Sequence, residues 1–316
     1  MTEQAPANIN LVRKIVNRTS KLTPLKTVAT KAIQMAEGET TSAAMDLATV
    51  LSSDQALTAK LLKLSNSAYY GYARRTSNAR EAVILLGMKT VRSVAIASAT
   101  IDSFKPPTIE GFEQDLLWAH SACVGLAAEA IARETHVIQP EDAFTVGVLH
   151  DMDRLAETTQ FREVIRTVKE DGARYADAEV AAFEGVHHAH VGARLVRRWR
   201  FPADLVEGIA DHHPERIPRR LETLGDVVAA ADMACNREGL ACGFDWTDNE
   251  EQRYQGRLPD AAQEAIDNVH GGMETIEKKA RTFLQHVRTG APTWYASRVL
   301  DLEDPEEKTE SDVDAA

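Results

Sequence analysis

The sequence predicts an all-α protein, on three observations. Apolar residues recur at helical spacing along nearly the whole chain, no segment sustains the alternation of a half-buried strand, and Pro, Gly and capping residues punctuate the chain at helix-length intervals. With 316 residues, 44% of them apolar, the chain can bury a substantial core as one large or two fused helical units.

In chain order, Pro24 opens a helix that Gly38 closes, and Asp54 caps the helix carrying Leu57, Leu61, Leu62 and Leu64. Asn78 with Glu81 resembles a capping box for the next one. Between them, Gly71 and clustered tyrosines in the run from Ser65 to Arg75 predict a structured turn. Its Tyr69, Tyr70 and Tyr72 with Arg74 and Arg75 either pack on the core or stack on a nucleotide. A helix over about Thr90 to Phe104 ends at Pro106-Pro107, which sets a subdomain boundary near residue 110.

The next helix runs through Leu116, Leu117, His120, Val124, Leu126 and Ile131, and Pro140 starts one that carries Phe144, Val148 and the pair His150-Asp151. Further helices are expected over about 161–171, 177–200, from Pro202 to His212-His213, and over 222–237 with Asp232 on it. After Gly239 a polar stretch leads to two helix-like segments near 260–269 and 273–288. This gives an N-terminal helical subdomain (1–110), a second helical subdomain (111–236), a C-terminal helical extension (237–300) and an acidic disordered tail (301–316).

The net charge of −12 is unevenly spread. Residues 1–110 hold 14 basic against 8 acidic residues, whereas 111–236 hold 13 against 22 and 301–316 hold 1 against 8. Two units of opposite field would attract each other, and the concentrated basic face expected of a nucleic-acid binder is not signalled. The start Met1-Thr2-Glu3-Gln4-Ala5-Pro6 lacks a signal-peptide pattern, and no run of about eighteen apolar residues exists, so the expectation is a cytoplasmic protein without a membrane partner. Cys123, Cys235 and Cys242 form no CxxC pair and are expected to be reduced, buried thiols.

The residues that carry chemistry are His150 and Asp151, with His120 thirty residues earlier and Asp232 far downstream. Imidazole nitrogen and carboxylate oxygen suit a divalent metal such as Fe, Mn, Zn, Ni, Co or Mg, which these four could surround. His187, His188, His190, His212 and His213 crowd into one stretch, enough for a second metal. The competing reading is a set of polar groups that hydrogen-bond one another in a groove between helices. Trp118, Trp199 and Trp246 read as packing residues, and His136, His270 and His286 as solvated helix residues.

The runs Leu61-Leu62-Lys63-Leu64-Ser65-Asn66-Ser67-Ala68-Tyr69-Tyr70-Gly71 and Glu81-Ala82-Val83-Ile84-Leu85-Leu86-Gly87 are similar to the two best-marked segments of the HDOD family, a bacterial relative of the HD-domain and HD-GYP phosphohydrolases. The resemblance covers roughly residues 11–235. His120 followed by Ser121, the His150-Asp151 pair, and Ala231-Asp232 match the metal-ligand positions of HD domains. His190, in His190-Val191-Gly192-Ala193, and His212-His213 match the extra histidines of the HD-GYP branch, whereas His187 and His188 match no ligand position and read as solvated.

The resemblance implies an N-terminal helical subdomain packed on an HD-domain-like helical core, with a potential two-metal site in which Asp151 bridges. It implies signal transduction through a partner such as a kinase, a response regulator or a cyclic-dinucleotide pathway component, or through a nucleotide. The alternative is a metal-dependent phosphohydrolase acting on a nucleotide or cyclic dinucleotide, with Asp151 orienting a metal-bound water and Arg154 steadying a phosphate. Two departures weigh against that reaction. The HD-GYP phosphohydrolases follow the doublet with Ile-Gly-Lys and their paired histidines with Glu and a Gly-Tyr-Pro loop; this chain has Met152-Asp153-Arg154 and Pro214-Glu215-Arg216-Ile217-Pro218.

Overall fold

The computed structural model describes residues 9–22, 27–35, 41–67, 75–104, 114–155, 159–173, 175–213, 220–240 and 258–287. Among these residues the protein is built of helices, without a strand. Helices α1 (Ile9–Leu22), α2 (Thr27–Gln34), α3 (Thr41–Ser52), α4 (Gln55–Ser65), α5 (Ala79–Leu86) and α6 (Met88–Ser103) form the N-terminal part. The core that follows holds α7 (Gln114–Thr135), α8 (Pro140–Leu149), a short 3-10 turn (Met152–Leu155), α9 (Thr159–Asp171), α10 (Tyr175–Ala182), α11 (His188–Arg198), α12 (Ala203–Ala210) and α13 (Leu224–Arg237). Two C-terminal helices, α14 (Asp260–Asp267) and α15 (Gly272–Val287), complete it.

Local signals set many of these ends. Asp54 Oδ1 accepts from the Leu57 N–H at 3.0 Å, as an N-cap should. Asn78 Oδ1 accepts from the Glu81 N–H at 2.9 Å, but the Glu81 carboxylate reaches back to the Ser77 N–H at 2.7 Å, one residue short of a reciprocal box. Pro140 occupies the first turn of α8, where its missing N–H costs nothing.

One expected helix, 177–200, is broken. Glu184 (φ 53) and Gly185 (φ 81) take the left-handed conformation, the Gly185 N–H closes on Val180 O at 2.8 Å, and α10 ends at Ala182. The chain restarts as α11 only after His187, and this re-aims the histidines of α11.

The long helix α7 is central, packing against α8, α13, α14 and α15. Its crossing with α8 is close because both helices present glycine there: a Cβ on Gly147 would lie 2.6 Å from the Gly125 Cα. The N-terminal helices dock on this core through α6 against α8, α1 against α11, and α4 against α15. Trp118 and Trp199 are buried, as are Cys123 and Cys235, whose thiols are free; burial pushes the Cys123 thiol up to about 12. No single helix among the described residues is long and apolar enough to cross a membrane. Pro24, Gly38, the turn with Tyr69, Tyr70, Tyr72 and Arg74, Pro106-Pro107, Pro214 to Pro218, Cys242, Trp246 and segment 301–316 lie outside the described residues.

Candidate metal centre

His120 projects from α7, His150 and Asp151 follow the end of α8, His212 and His213 follow α12, and Asp232 sits on α13. The Gly125–Gly147 crossing holds α7 and α8 close enough for the His120 and His150 rings to stand 5.3 Å apart. Three ligand-type groups result among the described residues, each with donor atoms mutually within 4.8 Å: His120, His150 and Asp232; Asp151, His188, His212 and His213; and, beside the second, Glu179, His187 and His188. Asp151 joins the first two, with Oδ2 3.4 Å from His150 Nε2 and Oδ1 3.8 Å from His212 Nε2.

The imidazoles are oriented alike. The Nδ1 of His120 lies 2.7 Å from Leu240 O, that of His150 2.7 Å from Gly147 O, and that of His212 2.7 Å from Ile209 O. A carbonyl only accepts, so each Nδ1 carries a proton and Nε2 is the nitrogen turned toward the centre, that of His120 3.0 Å from Asp232 Oδ1; this is the ring orientation a metal needs. For His150 and His212 the same local device operates twice, a histidine just past a helix end bonding the carbonyl three residues back. His188 is set by a carboxylate instead: its Nδ1 bonds Glu179 of α10, and its Nε2 points at Asp151 Oδ1, 3.0 Å away. Asn236 holds Asp232 by donating to Oδ1 at 2.9 Å, one turn along α13.

The fit to a metal rests on what these atoms lack. His150 Nε2, His212 Nε2 and Asp151 Oδ1 are fully enclosed, yet none completes a hydrogen bond of acceptable geometry among the described residues, although they approach one another, His188 and the Arg154 guanidinium within 3.0–3.8 Å. Buried polar atoms left in this way are costly, and a cation at their point of convergence removes the cost. The donor set of imidazoles and carboxylates fits a borderline divalent ion.

The electrostatics show how strongly the groups couple. Burial would raise the Asp151 carboxyl, but Arg154, whose Nε lies 3.1 Å from Oδ1, and His150 outweigh it and hold Asp151 well below the usual range. Burial pulls His150 down, and Asp151 more than restores it. Burial also works against the charge of His188, yet Glu179 drives it up to about 10, while His188 and His187 hold Glu179 down at about 2 despite its own burial. Burial takes His212 to about 4 and raises Asp153 to about 7.

The structure gathers six of the seven residues expected at the metal: His120, His150, Asp151, His212, His213 and Asp232. His190 is a correction. It lies on the exposed side of α11, while His188, expected to be solvated, is 1% exposed and inside. Two residues along a helix turn the side chain by about 200°, so only one of the two can face the centre, and the break at Gly185 decides which. His187 also leaves solvent, accepting from the Ala189 N–H as the N-cap of α11 and lying 3.2 Å from Glu179 Oε2. The one signal for His188 was the crowding of histidines; for Glu179 there was none. Arg154 is buried against Asp151.

The HDOD domain family model matches residues 22–215. An uncharacterized protein of Treponema pallidum (strain Nichols) is 28% identical over 193 residues, which are 60% of this chain and only 37% of that protein's length. The crystal structure of an HDOD domain protein of unknown function from Geobacter sulfurreducens is 24% identical, covers 87% of this chain and 97% of its own, and superposes with a TM-score of 0.70. A Shewanella amazonensis SB2B structure, provisionally named a phosphohydrolase, is 24% identical over 84% of this chain and 97% of its own, with a TM-score of 0.61. At these identities the two structures share the fold with this chain.

Proposed function

The chain belongs to the HDOD domain family, and on that premise we propose that it is a regulatory module of bacterial signal transduction, which acts by contact with another signalling protein and is organised around a divalent-metal centre. The observation that carries the reading is the enclosure of the donor set. His150 and His212 are 0% exposed, Asp151 2% and His120 3%, with His213 half-buried, so most of the donor atoms are shut away from bulk solvent. A catalytic metal keeps an open position for water or substrate, whereas a closed set fits an ion that ties helices together. Here the ion would tie α7, α8, α11, α12 and α13, and its chemistry would be that of a cross-link rather than of a Lewis acid. Arg154 supports the same reading, since its charge is spent on Asp151 rather than offered to a phosphate. The N-terminal unit, 1–110, would then sense the packing of the 111–236 core through the docking of α6 on α8.

The test is metal analysis of the purified protein together with a phosphodiesterase assay. We expect about one to two equivalents of a transition metal, lost in Asp151→Ala, and no turnover of bis-p-nitrophenyl phosphate. Less than about a tenth of an equivalent, before or after reloading, would remove the metal centre. Turnover that disappears with Asp151→Ala would favour the second reading, a metal-dependent phosphohydrolase acting on a nucleotide, for which the residue types at the two ligand groups joined by Asp151 speak.

A further inference from the structure

Helix α1 turns Val12, Ile15, Val16 and Thr19 inward and Arg13, Lys14, Asn17 and Arg18 outward. Helix α11 packs on it, and the stripe that begins at exposed His190 continues through half-buried Arg194 to exposed Arg197 and Arg198, with exposed Arg200 just beyond. Asn17 Oδ1 accepts from Arg198 Nη1 at 3.2 Å, which joins the outer faces of the two helices. Neither helix contains an aspartate or glutamate. Helix α12 packs on α11 and carries exposed Asp204 and Glu207, but among the described residues neither forms an ion pair with these arginines.

A cluster of cations without an ion-pair partner among the described residues, on a chain of net charge −12, asks for a reason. The dipole of α11 accounts for Arg197 and Arg198 at its C-terminal end, but not for Arg13 and Lys14 in the first half of α1. A second observation comes from the backbone. Arg200 holds φ 65, with its N–H bonded to Arg197 O at 3.0 Å and the Phe201 N–H to Val196 O at 3.1 Å, a helix-ending turn that glycine makes freely. The turn sets exposed Arg200 at the end of the same stripe.

We infer that the α1–α11 face is a docking surface for a short carboxylate-rich segment, and that its occupant is the chain's own Asp301–Ala316. That segment carries eight acidic residues and one basic residue, a charge complementary to the face. The thirteen residues from 288 to 300 can span as far as about 45 Å between Val287 and the segment. A long polyanion such as DNA fits less well, because it would run from this face onto α12, which packs on α11 and exposes Asp204 and Glu207. The inference goes beyond the metal-centre reading and does not depend on it.

Carbodiimide coupling of the full-length protein tests it, because the reagent joins carboxylates to amines in contact and Lys14 is the amine of this face. The expected product is an intramolecular link between Lys14 and a carboxylate of 301–316, found by mass spectrometry at about 20 mM salt and reduced about tenfold or more at 0.5 M. The same loss is expected in the double variant Arg13→Glu and Arg18→Glu on α1, with its melting temperature and metal content unchanged. Coupling of the segment only to other lysines, or none at low salt, would overturn the inference. So would links found only between isotopically distinct copies. Displacement of the segment by an equimolar 20-base-pair DNA duplex, with a synthetic 301–316 peptide ineffective, would reassign the face to nucleic acid.

Discussion

Nε2 of His188 lies 3.0 Å from Oδ1 of Asp151, across 37 residues of sequence, and the opposite edge of the same ring is held by Glu179. A carboxylate, an imidazole and a central carboxylate thus stand in line, the arrangement by which a second ligand shell fixes the ring and raises its basicity toward a metal. Glu179→Gln keeps the shape and removes the charge. Metal affinity, measured by competition with a chelator, is expected to fall about 10- to 100-fold. His190→Ala is expected to change nothing, and an equal loss in both variants would contradict the placement of His188.

The glycine crossing positions the first two histidines. Gly147→Ala would put a methyl 2.6 Å from the Gly125 Cα, where only backbone can yield. Separation of α7 from α8 is expected to cost about 1–3 kcal/mol in denaturant unfolding and to lower metal content with it. A variant of full stability that loses the metal, or the reverse, would show that the crossing does not set the His120–His150 spacing.

The metal-free protein carries its own pH dependence through the His188–Glu179 pair. Glu179 is depressed from 4.5 to about 2, so its contribution is present above 4.5 and lost as pH falls through about 2. His188 is raised from 6.5 to about 10, so its contribution is full below 6.5 and is lost as pH rises through about 10. Between pH 6.5 and 10 the stability of the stripped wild type should therefore fall more steeply than that of His188→Ala. Parallel curves would remove the pair from the account. Metal must displace the proton on His188 Nε2, so binding at pH 8 should release protons, seen with an indicator dye in weak buffer.

Arg154 separates the two functional readings. Its guanidinium stands 3.1 Å from Asp151 Oδ1 and repels any cation placed there. In a sealed regulatory site, Arg154→Gln should tighten metal binding several-fold, on the order of one removed like charge. In a phosphohydrolase it should abolish turnover instead. Chelator competition and the phosphodiesterase assay on the same preparation read the two outcomes.

What the sequence determined by itself was local or additive. Helical periodicity, the caps at Asp54 and Asn78 and the start at Pro140 act within one turn, and the HDOD-like runs with the His150-Asp151 pair mark the fold and most of the donor set. What tertiary structure alone decided was which donors meet. The glycines at 125 and 147 set how near α7 comes to α8, and the left-handed turn at Glu184-Gly185 rotates α11 so that His188 enters and His190 leaves. Glu179 became part of the centre only because that same turn folds α10 back beside α11, bringing its carboxylate to the His188 ring. The physical reason is that a helical side chain's direction depends on where its helix begins, and burial of a charge depends on partners brought from elsewhere in the chain; neither is written in the spacing of the residues themselves.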